Sequence, residues 1–270
     1  MRRYPRSIEE FLAEPYCERQ LVSFFNDGSS QERALADALG PGSSGPLFFQ
    51  FPMTPYEFMA SLIVGLIHYS RSHRGGVSVA FLPNRWAAAL QLPPLHPRAK
   101  VLYAAHPVEP STYIPIARFH RFAFEHKFSE LLLILTRLGA KRITAYHVRG
   151  WGRELASSLP IPASELEIGG KVAAGTKRRQ GDKILFEAKL AGGDCLELPE
   201  KLAWYRFEPT WQSLVEQRRR GLEKYSLLLH YDDDYGIKSN LKLYAERAGF
   251  EVSGNFQQHK ATTWQIEVLF

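Results

Sequence analysis

The sequence predicts an α+β protein: a mixed β-sheet with packed helices and a protruding amphipathic β-hairpin. Three observations predict it. Phe119 to Val148 reads as a long amphipathic helix, a glycine stop and a strand. Helix and strand patterns alternate early in the chain, whereas hairpin patterns dominate later, which suits α+β better than a doubly wound fold. Between 165 and 191 two alternating arms flank a basic turn.

The chain then divides into a peripheral helical segment (1–46), an α/β half (47–150) and an α+β half (151–270), the last two forming one domain or two. In the first segment Ile8 to Phe25 reads as one helix and Gln31 to Leu39 as a second. Gly40 to Pro46 is a connector. Leu47 to Phe51 is a short strand. Thr54 to Glu57 forms a capping box with proline at the first helical position, opening an apolar helix through Ile67. That apolar run is about half the ~20 residues a membrane-spanning helix needs, so it reads as core. Val77 to Phe81 and Val101 to Ala105 are strands. Trp86 to Leu92 is a helical turn, and Pro93, Pro94 and Pro97 break regular structure until Lys100.

In the central helix Phe124, Phe128, Leu131, Leu135 and Leu138 fall at steps of four, three, four and three, on one face. Leu132 widens that face. Gly139 sits where a left-handed cap is wanted, and Ile143, Ala145 and His147 alternate beyond it. In the hairpin, Leu166, Ile168, Val172 and Ala174 share a face of the first arm. Ile184, Phe186, Ala188 and Leu190 oppose Leu185, Glu187 and Lys189 on the second. A helix from Glu208 to Arg220, a strand from Tyr225 to Tyr231, a helix from Tyr235 to Ala248, and strands over Phe250–Phe256 and Thr262–Phe270 complete the chain.

Composition sets the function classes. With 45% hydrophobic and 23% charged residues the chain is globular, not disordered. A net charge of +6 favours an anionic partner. The only cysteines, Cys17 and Cys195, make no disulfide framework, and no apolar leader follows Arg2 and Arg3; both point to a cytoplasmic protein, at most peripheral to a membrane. The GxSxG, GxxxxGK[ST], HExxH and CxxC patterns are all missing, and the nine histidines show no zinc spacing. No cofactor or metal is expected.

Several clusters remain. Asp182, Glu187 and Lys189 resemble in kind the two carboxylates and lysine that hold magnesium and stabilise charge in a restriction-type nuclease. An exposed, salt-bridged strand face explains the same residues. On the central helix His126 and Glu130 are one turn apart and suit a surface ion pair better than a metal site. His120 lies about 120° away around the helix, and Glu125 adds a further acid. Asp232, Asp233 and Asp234 sit between a strand and a helix, where carboxylates cap. The hairpin arms approach the about nine to eleven residues of a tilted membrane strand. Lys177, Arg178 and Arg179 in its turn could reach headgroups.

Arg2, Arg3 and Arg6 and the run Arg218, Arg219 and Arg220 are further basic elements, the latter suited to a helix C-terminus. Tyr146, Trp151, Trp204 and Tyr205 could stack on bases. The sequence points to binding rather than catalysis. The expected partner is anionic lipid, with nucleic acid next, and a protein partner or second copy beside either. The membrane-active element is the hairpin 165–191, and the anion-binding residues are Lys177, Arg178, Arg179, Arg218, Arg219 and Arg220. The alternatives are a nucleic-acid-binding subunit and a magnesium nuclease built on Asp182, Glu187 and Lys189.

Overall fold

Among the described residues two four-stranded sheets form, one mixed and one antiparallel, with helices between their strands in sequence. The computed structural model describes residues 7–27, 79–150, 152, 184–193, 197–232 and 261–270. The fold is α+β. Contacts divide the chain into two units, Met1–Phe119 with Asp234–Phe256, and His120–Asp233 with Gln257–Phe270.

In the first unit strand β1 (Leu21–Phe25) pairs in parallel with β2 (Val79–Pro83) and antiparallel with β3 (Leu102–Ala105), which pairs with β4 (Tyr113–Pro115). β1, β2 and β3 are buried at every residue, so the described part of the strand expected to alternate over Val77–Phe81 is covered on both faces. Ser23 is the polar exception, and its hydroxyl donates to Val101 O at 2.9 Å. Helix α1 (Ile8–Ala13), capped by Ser7, buries Phe11 beside Tyr113.

The single helix expected over Ile8–Phe25 does not form. Glu14 is extended ahead of Pro15, because proline excludes helical geometry at the residue before it. A 3₁₀ turn, Tyr16–Glu18, then delivers Leu21–Phe25, with β-branched Val22 and aromatic Phe24 and Phe25, into the sheet. The Tyr16 hydroxyl donates to Ala105 O, and the Tyr113 hydroxyl donates to Arg19 O, so the turn is tied to β3 and β4. The expected helical turn near Trp86 is present as a 3₁₀ helix, Asn84–Ala89.

The second unit holds helix α2 (Phe119–Arg137, beginning on the last residue of the first unit) and helix α3 (Pro209–Arg219). Its strands are β5 (Arg142–Arg149), β6 (Ile184–Lys189), β7 (Lys224–Asp232) and β8 (Ala261–Leu269), in the order β6-β5-β8-β7. β5 is an inner strand, so residue 150 lies inside this unit. Phe124, Phe128, Leu131, Leu135 and Leu138 are all fully buried, as their spacing predicts, and Ile134 joins them. Trp264 of β8 lies edge-on to Phe124 and Phe128 at 4.9 and 5.0 Å, and Phe186 of β6 meets Phe128 at 5.8 Å.

β6 is the second arm of the expected hairpin, and it is hydrogen-bonded to β5; among the described residues it is the last strand on that side of the sheet. Phe186 and Ala188 face the core as read from the sequence, while Ile184 is exposed and Leu185 buried near a register shift in β5. The first arm, the turn residues Lys177, Arg178, Arg179 and Asp182, the apolar helix of 54–67, the helices of 31–39 and 235–248 and the strand of 250–256 lie outside the described residues.

The glycine stop takes its expected form. Gly139 has φ +80, its N–H donates to Thr136 O and that of Ala140 to Leu135 O, a Schellman pairing that closes α2. A Cβ at this position would lie 1.9 Å from Gly193 O, backbone of the segment leaving β6. Gly221 has φ +94 and open space around it. Gly221→Ala is expected to cost about 1–2 kcal/mol from left-handed geometry alone. Gly139→Ala should cost clearly more, and urea unfolding midpoints of the two variants check the difference.

In the first unit Arg98 N donates to the Tyr103 hydroxyl at 2.8 Å, which directs the hydroxyl proton to His96 Nδ1, 2.6 Å away. Burial, with Arg98 and Arg118 adding repulsion, holds the His96 imidazole below its ordinary value. A depressed histidine contributes stability that is complete above its unfolded value, about 6.5, and is lost as pH falls through the folded one. The urea midpoint is therefore expected to drop on going from about pH 7 to about pH 5, and His96→Gln should flatten that drop relative to the natural chain.

Candidate anionic-surface interface

The three consecutive arginines that end α3 have three different surroundings. Arg218 turns inward: Nε donates to Leu138 O at 3.0 Å, Nη1 donates to Leu222 O at 2.9 Å, and the guanidinium lies 4.7 Å over the Phe270 ring. It satisfies carbonyls at the ends of α2 and α3 and is therefore a structural clamp, not the surface anion ligand its sequence position suggests. Arg219 pairs with Glu216 at 3.0 Å, with both side chains about half exposed. Arg220 is exposed at the cap.

By holding Leu138 and Leu222 together, Arg218 brings the C-terminal ends of both helices to one end of the sheet. Arg142 lies opposite both Lys189 and Leu269, and Leu269 lies opposite Lys224. The row Lys189–Arg142–Leu269–Lys224 therefore crosses all four strands, and at about 4.8 Å per strand it spans about 14 Å. Ile143, Ala145, Ala188, Ile266, Val268 and Leu227 fill the opposite, buried face, so alternation puts this row on the open one. Lys141, whose Nζ donates to Phe270 O at 3.3 Å, and exposed Arg137 of the last turn of α2 add charge at the same end. Residues from α2, β5, β6, α3 and β7 thus gather into one cationic rim.

The next row inward is Glu187–Thr144–Glu267–Ser226. Charge changes sign within one step along the strands. Arg142 Nε is 3.8 Å from Glu187 Oε1, a long and partly exposed pair of small energetic weight. Leu269 and Leu228, both exposed, interrupt the polar face.

Glu187 and Lys189 do share a face, as residues two apart on a strand must, but Asp182 is outside the described residues. The His126–Glu130 ion pair does not form. Glu130 is buried and accepts the backbone N–H groups of Ala203, Trp204 and Tyr205 at 2.7–2.9 Å, which fixes the segment leading into α3. His126 Nδ1 instead accepts from the Trp204 indole at 3.4 Å, Glu125 pairs with Arg121, and His120 Nδ1 lies 3.2 Å from the Tyr231 hydroxyl. Lys127 pairs with Glu208, donates to His230 O and lies 5.3 Å from the Trp204 ring centre.

Trp204 is consequently buried and cannot offer its face to a base. Tyr205 stays half-exposed; burial raises its phenol, with Arg219 opposing and Glu216 reinforcing the effect. Tyr146 is half-buried on the open face, and Trp151 is not among the described residues. Asp232 ends β7 beside His230, at 3.7 Å, while Asp233 and Asp234 are outside the described residues. Among the described residues no helix is long and apolar enough to cross a membrane.

The sequence reading missed Arg137, Lys141, Arg142 and Lys224 as members of one site. A faint signal was present, since each stands beside a glycine stop or at a strand's first residue. Comparison with known proteins finds no matching family model, no similar curated protein and no similar solved structure.

Arg218→Ala leaves two carbonyls without their donor and strips the Phe270 ring of its cover. It is expected to cost about 2–3 kcal/mol, whereas Arg219→Ala should stay within about 0.5 kcal/mol. Chemical denaturation of the two variants separates the clamp from its neighbour.

Proposed function

We propose that this chain is a non-catalytic basic protein that engages an anionic surface, with lipid headgroups as the favoured partner. The observation that supports it is the cationic rim: Arg137, Lys141, Arg142, Lys189, Arg219, Arg220 and Lys224 at one end of the second unit. Part of this charge answers the two helix C-termini, each equivalent to roughly half a negative charge. Among the described residues Glu216 pairs with Arg219, and Glu187 lies 3.8 Å from Arg142. Each basic side chain near an acidic bilayer contributes about 1 kcal/mol, and exposed Leu269 within the row adds apolar area for the interfacial zone.

The reading is peripheral attachment, not insertion of β6. Drawing β6 from its sheet would expose Phe186 and Leu185, at about 1.5–3 kcal/mol each, and break the β5 ladder. Lys177, Arg178 and Arg179 form a second proposed contact. They precede Ile184, the end of β6 remote from Lys189, so the chain enters β6 about 17 Å along the strand from the rim. A cytoplasmic setting with an acidic inner leaflet fits this reading, and a second copy or a protein partner adds to it without being required.

The test is co-sedimentation with phosphatidylserine and phosphatidylcholine vesicles at several salt concentrations. The natural chain is expected to bind the acidic vesicles alone, less tightly as salt rises. Lys141→Glu/Arg142→Glu/Lys224→Glu should weaken binding at least about 100-fold, from about 1 kcal/mol per residue. Charge reversal at Lys177, Arg178 and Arg179 should weaken it as well. Unchanged binding by the rim variant would sink the site. Tight binding to duplex DNA or RNA without vesicle binding would transfer the assignment to a nucleic-acid subunit. Nucleic-acid cleavage lost in Glu187→Ala would make the chain an enzyme.

A further inference from the structure

The first unit carries an unusual surface loop between the 3₁₀ helix and β3. Leu92 packs against the core of this unit, yet Leu95, three residues on, is 85% exposed. Leu95 has φ +65 and Lys100 has φ +61, left-handed geometry that a leucine adopts at a steric cost and that glycine or asparagine would adopt more easily. Strain and an exposed large apolar side chain at one residue both work against stability, and such residues persist where function uses them.

The loop is held in this shape from within. The buried Tyr103 hydroxyl receives Arg98 N–H and contacts His96 Nδ1, and the His96 ring packs edge-on to Tyr103 at 5.5 Å. Pro93, Pro94 and Pro97 restrict the backbone further. Arg98 and Lys100, three and five residues after Leu95, are exposed, and no aspartate or glutamate occurs from Val79 to Val108. An exposed leucine followed by two exposed cations in the same loop matches an acidic bilayer in both layers: headgroup phosphates for the side chains of Arg98 and Lys100, and the acyl boundary for Leu95. A nucleic-acid backbone would reward the cations but leave the leucine without a partner.

We infer that the loop Leu92–Lys100 is a membrane-anchoring wedge that places Leu95 in the interfacial zone of an anionic bilayer. This rests on the lipid reading above but on different residues, in the other unit. Because the loop is preorganised, little ordering entropy is lost on contact.

The experiment uses the full chain with Leu95→Cys carrying an environment-sensitive nitrobenzoxadiazole label. The unsubstituted chain is labelled in parallel to report any signal from Cys17 and Cys195. A blue shift with phosphatidylserine vesicles, absent with phosphatidylcholine vesicles and with duplex DNA, is expected. Leu95→Asn should lower affinity for acidic vesicles about tenfold while unfolding no earlier than the natural chain, since asparagine suits the left-handed geometry. Vesicle binding with no blue shift and no effect of Leu95→Asn would overturn the wedge and leave the cationic rim standing. No vesicle binding by any form would overturn both. A shift on DNA equal to that on vesicles would also overturn the wedge.

Discussion

The turn at Gly139 is the constraint on which the second unit depends. A left-handed residue must follow α2 there, because the Schellman hydrogen bonds close the helix and the backbone at Gly193 occupies the space a side chain would need. With the turn fixed, the chain enters β5 at Arg142, and the register of that strand sets both neighbours. Arg218 then ties Leu138 to Leu222, so α3 ends beside α2. The cationic rim is the result of these turns converging, more than of any basic run in the sequence.

Two kinds of charged residue therefore need separate treatment. Arg218, Lys127 and Glu130 have their hydrogen-bonding capacity directed at carbonyls, a carboxylate or backbone N–H groups inside the unit, and they maintain its geometry. Arg142, Lys189 and Lys224 stand on the open side of the sheet, where charge is retained without the cost of burial. The carboxylates of Glu187 and Glu267 lie one row inward, so charge of the opposite sign adjoins the rim.

Much of the scaffold was legible. The buried positions Phe124, Phe128, Leu131, Leu135 and Leu138 of α2, its glycine stop and the alternation of β8 follow from local periodicity, whereas Leu132 is only partly buried and the exposure of Leu228 between Leu227 and Leu229 in β7 is not visible in the apolar run. The helix expected over Ile8–Phe25 was overridden by Pro15 and by strand-forming residues whose partners lie far along the chain. The site was less legible. Arg218, Arg219 and Arg220 look equivalent in a string of letters, but their directions around a helix end differ by about 100° per residue, and only one of them meets carbonyls. Trp204 reads as an aromatic available for stacking until the hydrogen bonds of Glu130 and His126 enclose it.

The sequence by itself determined the α+β class, the amphipathic faces and the positions of the turns, because these depend on steric and hydrophobic rules acting over a few neighbouring residues. Only the tertiary structure decided strand order, register and which cations meet. Those depend on pairings between residues as distant as Arg142 and Leu269, chosen by burial of Trp264, Phe128 and Phe186 in a shared core and not by any local preference.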